Sequence, residues 1–293
     1  MKVAIYGQEY QETALEYVLE LLEELQKNEA VVVFESQFYQ FLGGTGALGK
    51  YTTFTHKQGL DSSFDLFVSF GGDGTILRAI TYIRDLGIPI VGVNTGRLGF
   101  LSTFKKEEVR RVVTEFRAGA YELVERSLVA VYSDLEIPEF GSLNFALNEV
   151  SVSRKDTTSM ITIATYLNNE YLTSYWADGL IIATPTGSTG YSLSCGGPVI
   201  TPTAQSLVIT PIAPHNLNAR PLVISDNTEI RLKVSGREEH HLLSLDSRLA
   251  TIENGRELTI KKAGFKIKMV EYTSESFLKT IRNKLLWGED RRN

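Results

Sequence analysis

The chain has 293 residues, 43% hydrophobic and 22% charged, which supplies the apolar material for two ordinary domains. Thirty Lys and Arg against 35 Asp and Glu leave a formal net charge of -5, which argues against a general nucleic-acid binder that relies on neutralising phosphates. The single cysteine, Cys195, excludes an internal disulfide, and with four scattered histidines it builds no Cys/His zinc site. A reducing cytoplasm is the expected compartment. Val3 to Tyr6 is too short for a signal-peptide core and no apolar run reaches bilayer length, so no membrane partner is expected. The 24 glycines fall in clusters, at 43 to 49, 71 to 74, 96 to 99 and 187 to 197.

Over the first 120 residues strand and helix signals alternate. Val3 to Tyr6 reads as a buried strand, and residues 9 to 27 place Ala14, Leu15, Val18, Leu21, Leu22 and Leu25 on one helical stripe. Val31 to Phe34 is the next strand, and Phe64 to Phe70 is a strand running into Gly71-Gly72-Asp73-Gly74-Thr75. From Thr75 the spacing of Ile76, Ile80 and Ile83 predicts a helix, with Gly87 as its stop before Pro89. A strand over 88 to 93 and a helix over 105 to 118, carrying Val109, Val112, Val113 and Phe116, complete a doubly wound α/β layer. From Leu128 to Tyr272 apolar residues alternate in short runs separated at Asn168-Asn169, Asn254-Gly255 and Ala263-Gly264, the grammar of an antiparallel sandwich or barrel. The tail returns to helical spacing, with Ser274 as N-cap and a stripe of Phe277, Leu278, Ile281, Leu285 and Leu286 that should pack on the first domain. The expected division is an α/β domain over 1 to 125 plus 273 to 293 and a β-rich domain over 126 to 272.

Gly44-Thr45-Gly46-Ala47-Leu48-Gly49 matches the dinucleotide fingerprint G-x-G-x-x-G letter for letter, and with Lys50 it nearly spells a Walker A loop. Both need a strand before and a helix after, so that backbone N–H groups meet a phosphate. Here the preceding residues look helical or irregular, the following Tyr51 to Thr55 suit a strand, and Tyr51 replaces the magnesium-binding hydroxyl. The segment is expected to be a mobile surface loop. Gly71-Gly72-Asp73-Gly74-Thr75 has the right context, a buried strand leading into a helix. Gly71, Gly72, Gly74 and Thr75 are the candidate phosphate cradle, with Thr75 as helix cap. A carboxylate beside a phosphate either binds metal or takes the proton of an attacking hydroxyl; otherwise Asp73 only stabilises the turn. The block from Asp178 to Pro198 ends a buried strand in hydroxyls and glycines around Tyr191, a composition that suits a nucleoside or forms a Ser/Thr-rich loop. Asn148-Glu149 lies in a strand-like segment, where adjacent side chains take opposite faces and one of them is buried or in a cleft. His240 and His241 point apart for the same reason, and Cys195 reads as a small packing residue.

Together these residues resemble the NAD kinase family: Gly71-Gly72-Asp73-Gly74-Thr75, Asn94-Thr95-Gly96-Arg97-Leu98-Gly99-Phe100, Asn148-Glu149 and the Asp178 to Pro198 block. The resemblance implies an N-terminal α/β domain, a C-terminal β-rich domain and a site between them. It also implies transfer of the γ-phosphoryl of ATP to the 2'-hydroxyl of the adenosine ribose of NAD, giving NADP, with a divalent metal (Mg2+) and assembly as a homodimer or homotetramer. By the same pattern Asp73 is the general base. NAD would be held by Asp73, Gly74, Arg78, Asn148, Glu149, Asp178, Thr189, Gly190, Tyr191, Ser192, Leu193, Ser194 and Ala213. No protein side chain is assigned to the metal.

Three positions depart from the family pattern. Trp176 stands where many relatives carry a basic residue, Gly190 replaces an alanine, and Arg248 breaks the late Asp246-Ser247-Arg248 segment. Two other readings compete with the kinase of NAD. A lipid kinase of the Gly-Gly-Asp-Gly type needs an apolar acceptor groove, which the hydroxyl-rich 184 to 194 block does not suggest. A non-catalytic dinucleotide sensor has no use for Asp73.

Overall fold

Apolar runs that alternate with amphipathic stripes fold as strands and covering helices, and the first 120 residues follow that rule. The structure, a computed structural model, describes residues 1–8, 14–96, 99–102, 104–155, 159–272 and 276–286. The chain divides into two units, Met1–Glu125 with Ile267–Asn293, and Arg126–Lys266.

In the first unit the elements are β1 (Lys2–Gly7), α1 (Ala14–Lys27), β2 (Val31–Glu35), α2 (Ser36–Phe41), α3 (Gly44–Leu48), β3 (Thr52–Phe54), β4 (Leu66–Phe70), α4 (Asp73–Ile83), β5 (Ile90–Asn94), β6 (Phe104–Lys105) and α5 (Val109–Ala118). The strands run parallel in the order β5-β4-β1-β2-β3, with β6 also on β5 and registers such as Val3 to Val32 and Val3 to Leu66. β4 and β5 are buried throughout, as a central parallel strand covered on both faces requires. The core joins Val3, Ile5, Leu21, Leu25, Leu66, Val68, Phe70, Val91 and Val112.

Helix α1 is described from Ala14, and residues 9 to 13 of the expected helix lie outside the described residues. Three local expectations change here. Residues 44 to 48 form a short helix rather than a mobile loop. Leu48 is buried as an apolar anchor, and the Tyr39 hydroxyl donates to the Gly49 carbonyl at 2.5 Å. Helix α4 begins at Asp73 with Gly72 as its N-cap, so Thr75 lies inside the first turn and does not cap it. The helix also stops at Ile83, short of Gly87, where Arg84 takes a positive φ of 49°.

The second unit is a sandwich. Its strands are the end of β7 (Tyr121–Ser133), β8 (Phe145–Ala146), β9 (Glu149–Arg154), β10 (Ile161–Leu167), β11 (Glu170–Ala177), β12 (Gly179–Ala183), β13 (Ser206–Ile212), β14 (Leu222–Ser225), β15 (Ile230–Ser235), β16 (His240–Leu245), β17 (Arg248–Glu253) and the first part of β18 (Glu257–Tyr272). A six-stranded antiparallel sheet in the order β14-β13-β12-β9-β16-β17 faces the antiparallel run β11-β10-β15-β18. Ile161, Ile163, Leu232 and Ile260 from one sheet share a core with Val150, Val152, Leu180, Ile182, Ile209 and Leu243 from the other. The Asn168-Asn169 turn forms as expected, with φ of 49° and 68°. Ala263-Gly264 does not turn. It lies inside the 16-residue strand β18, where Ala263 is buried and the buried positions shift phase by one residue, from Leu258 and Ile260 to Ala263, Ile267 and Met269.

The last residues of β18 return to the first unit, where Met269 pairs with Ile90 and Val270 and Tyr272 enter its core. Helix α7 (Phe277–Leu285) belongs to the same unit. Its N-cap is Ser276, whose hydroxyl accepts from Lys279 N at 3.2 Å. The expected cap, Ser274, lies outside the described residues. The helix buries Thr280 and Ile281, whereas Leu278 and Leu286 of the expected stripe are exposed.

Candidate functional site

In the first unit the carboxyl ends of two neighbouring central strands bring together motifs that are apart in sequence. β4 ends at Phe70 and its Gly71 N–H donates to Val93 O of β5 at 2.9 Å. Gly72 caps α4 in an extended conformation, with no side chain occupying the cap. A Cβ added to Gly72 or Gly74 would meet nothing within 4 Å, so the backbone at this helix start is open to a ligand.

Asp73 is turned to the second motif. Its Oδ2 accepts from Phe100 N at 2.7 Å, and its Oδ1 accepts from Leu101 N at 3.0 Å and Ser102 N at 3.1 Å. Ser102 Oγ donates to Gly71 O at 2.8 Å, closing the contact between the two loops. Gly99 is required, because a Cβ there would lie 1.7 Å from Asp73 Oδ1. A carboxylate offers about four lone-pair positions. With three taken, one remains on Oδ2 for a ligand hydroxyl. Asn94 Oδ1 shapes the same turn by accepting from Gly96 N at 2.7 Å. Arg97 and Leu98 lie outside the described residues. Arg78, one turn along α4, is exposed, and with the Gln8 amide suitably oriented its Nε donates to Gln8 at 2.9 Å.

The second unit holds the other expected residues at the start of β9 and the end of β12. Glu149 is buried at 9% exposure and Asn148 is half-buried, the split expected of adjacent residues. Glu149 Oε2 has no hydrogen-bond partner among the described residues, although the Tyr191 N–H donates to the same carboxyl group. Burial, and next the nearby Asp246 carboxylate, push the Glu149 carboxyl up to about 8.

After β12 the chain makes a 3-10 turn at Thr186–Thr189 and a short helix α6 (Tyr191–Ser194). Much of the hydroxyl content here is spent internally. Thr184 Oγ1 donates to Leu147 O at 2.5 Å, Ser188 Oγ to Pro185 O at 2.7 Å, and Thr189 Oγ1 to Thr186 O at 3.2 Å. Ser192 is buried against Thr210, 2.8 Å between hydroxyls. Tyr191 and Ser194 are exposed and Leu193 is half-buried. A Cβ on Gly190 would lie 3.3 Å from Glu149 Oε2 and 3.5 Å from Asn148 Nδ2, so both side chains converge on this glycine. Asp178 is half-buried beside Arg154, 3.2 Å away, and Ala213 follows β13 with a strained φ of 44°.

The sequence reading missed Arg154, Asp246 and the place of Arg248. The Asp246 carboxylate accepts from Leu147 N, Asn148 N and Glu149 N at 3.0, 2.8 and 3.2 Å. Arg248 donates to the carbonyls of Leu143 and Phe145, just before Asn148 and the start of β9. The exposed Trp176 packs on His215, with ring centroids 4.4 Å apart. Among the described residues no group of three or more His, Cys, Asp or Glu could hold a metal ion.

Comparison with known proteins adds a family. Residues 3–121 match the ATP-NAD kinase N-terminal domain and residues 147–272 the ATP-NAD kinase C-terminal domain. An NAD kinase of Flavobacterium psychrophilum is 57% identical and one of Christiangramia forsetii 56% identical, each over the full length of both chains. Among solved structures, yeast NADH kinase complexed with NADH has a TM-score of 0.87 at 24% identity, covering 99% of this chain and 89% of that one. An NAD kinase from Archaeoglobus fulgidus in complex with ATP has a TM-score of 0.76 at 25% identity, covering 98% of this chain and 99% of that one.

Proposed function

The chain belongs to the ATP-NAD kinase family, and from that membership we propose that it transfers the γ-phosphoryl group of ATP to the 2'-hydroxyl of the adenosine ribose of NAD, giving NADP and ADP. The observation that carries this reading is the 57% identity over full length with a relative named NAD kinase. The quoted motifs all fall within the matched domains or the full-length alignment.

Phosphoryl transfer through a loose transition state asks the protein mainly for position and charge balance. The open backbone at Gly72 and Gly74 lets phosphate oxygens approach the positive end of α4, in a cradle completed by Gly71 and Thr75. Asp73 is the general base, and the open lone pair on Oδ2 orients the attacking hydroxyl and takes its proton late. The three N–H donors on its carboxylate offset the repulsion that a bare anion would exert on phosphate. A divalent cation such as Mg2+, carried in with ATP, would supply the neutralisation of phosphate charge.

In the second unit Asn148 and Glu149 contact the NAD ribose, with the unpartnered Glu149 Oε2 as the support for a hydroxyl contact. Asp178, the Thr189-Gly190-Tyr191-Ser192-Leu193-Ser194 segment and Ala213 complete the NAD contacts, while Arg78 pairs with phosphate. The reading includes a cytoplasmic setting and a homodimer or homotetramer, whose mass light scattering measures.

The test is to incubate the protein with ATP and Mg2+ plus either NAD or a diacylglycerol dispersion. An NADP-specific dehydrogenase reports NADP, and thin-layer chromatography reports phospholipid. NADP alone is the expected product. NAD binding without product would replace this reading with a sensor, and phosphorylated lipid without NADP with a lipid kinase.

A further inference from the structure

Asp246 occupies the tip of the β16–β17 hairpin, opposite the first residues of β9. It holds a positive φ of 54°, a conformation that short polar residues tolerate better than most others. Its carboxylate collects three successive backbone N–H groups, those of Leu147, Asn148 and Glu149. Its own N–H donates to Glu149 O at 3.0 Å, so hairpin tip and strand start are tied in both directions. The tip is fixed in turn by Ser244 Oγ, which donates to Asp246 O at 2.7 Å.

The same three residues are held from the other side. Thr184 Oγ1 donates to Leu147 O at 2.5 Å, and Thr184 N donates to Asn148 O at 2.8 Å. With these contacts holding the 147–149 backbone, the Asn148 and Glu149 side chains converge on Gly190. One buried carboxyl oxygen, Glu149 Oε2, remains without a partner. A buried polar atom left open by so constrained a backbone marks a place where a ligand completes the hydrogen bonding.

We infer that Asp246 is a positioning residue for NAD: it fixes the Leu147–Glu149 backbone so that Asn148 and Glu149 present their side chains to the ribose of the dinucleotide. The inference rests on the proposed activity, and Asp246 itself touches no substrate. Its carboxylate is spent on the backbone, so its substitution acts through Asn148 and Glu149. An asparagine there keeps one acceptor oxygen and turns an NH2 group toward an N–H donor, whereas alanine removes both acceptors.

The experiment measures KM for NAD at saturating ATP, and KM for ATP at saturating NAD, in the full chain carrying Asp246→Asn, Asp246→Ala or Ser244→Ala. Circular dichroism and gel filtration check the fold of each. The expected result is a KM for NAD raised about tenfold in Asp246→Asn and more in Asp246→Ala, with the KM for ATP within about twofold of wild type. Ser244→Ala loosens only the hairpin tip, leaves the carboxylate in place, and should raise the KM for NAD about threefold. It keeps the test decisive if the Asp246 variants do not fold. A folded Asp246 variant, or Ser244→Ala where those do not fold, with wild-type KM for NAD overturns the inference, as does an equal rise in both KM values. A wild-type protein that neither binds nor phosphorylates NAD would instead sink the activity on which the inference rests, and calorimetry with NAD separates the two failures.

Discussion

Replacing Glu149 by Gln should make the second unit more stable at pH 8 than the wild type, with a gain that vanishes in acid. Burial, and next the Asp246 carboxylate, hold the Glu149 carboxyl at about 8 in the folded protein, against an ordinary value near 4.5. Below pH 4.5 folded and unfolded chains both carry the proton, and the group leaves stability unchanged. Between 4.5 and 8 the unfolded chain releases the proton while the folded one keeps it, so stability falls as pH rises. Above 8 both states are ionised and the loss is complete. At about 1.36 kcal/mol per pH unit, that window corresponds to at most about 5 kcal/mol. Glutamine does not titrate, retains an acceptor for the Tyr191 N–H and puts its second polar atom where Oε2 has no partner among the described residues. The assay is urea unfolding of both proteins by circular dichroism at half-unit steps from pH 4.5 to 8.5. The difference in unfolding free energy should widen steadily toward pH 8 and then level. Two parallel curves across that range would show that Glu149 is ionised when folded and would refute the reasoning.

Three further substitutions separate structural from functional roles. Gly74→Ala adds a methyl group that meets nothing within 4 Å, so thermal unfolding should be unchanged or shift upward by less than about 1 kcal/mol, while kcat/KM for ATP falls at least about tenfold. Wild-type kinetics would remove the phosphate approach from this helix start. Gly187→Ala puts a Cβ 2.1 Å from Asn148 O, a backbone clash that should lower stability by about 1–3 kcal/mol in urea titration; an unchanged midpoint would contradict the packing described. Asp73→Asn should lower kcat about 100-fold in steady-state assays. It should also destabilise the first unit by about 1–3 kcal/mol, because one side-chain oxygen cannot serve the N–H groups of Phe100, Leu101 and Ser102 as two do. Near wild-type turnover would remove Asp73 from the base role.

Features governed by local pattern were legible in the sequence. The apolar run into Gly71 became β4 and the start of α4, and the short alternating runs after Leu128 became a two-sheet sandwich. The fingerprint match at 44–49 lacked a preceding strand, and α2 stands there in the structure. Its fold as a short helix was not legible, because Leu48 acts through burial that no local pattern records. The candidate site divides in the same way. Asp73 and Asn148-Glu149 stand out by residue type and context, but the acceptor role of each aspartate depends on distant backbone. Asp73 meets a loop 27 to 29 positions away, and Asp246 a strand start 97 to 99 positions away. Such pairings follow from sheet topology, which brings β5 beside β4 and β16 beside β9. Arg248, a departure when set against the family pattern, finds its partners by the same route at Leu143 and Phe145.

The central claim is tested most directly by the position of the transferred phosphate. The protein is given ATP, Mg2+ and NAD, and the purified product is examined by phosphorus NMR with proton correlation. The account predicts one new phosphomonoester, coupled to the 2' proton of the adenosine ribose. A phosphate at a 3' or nicotinamide-ribose hydroxyl, or ATP hydrolysed with NAD unchanged, would contradict it.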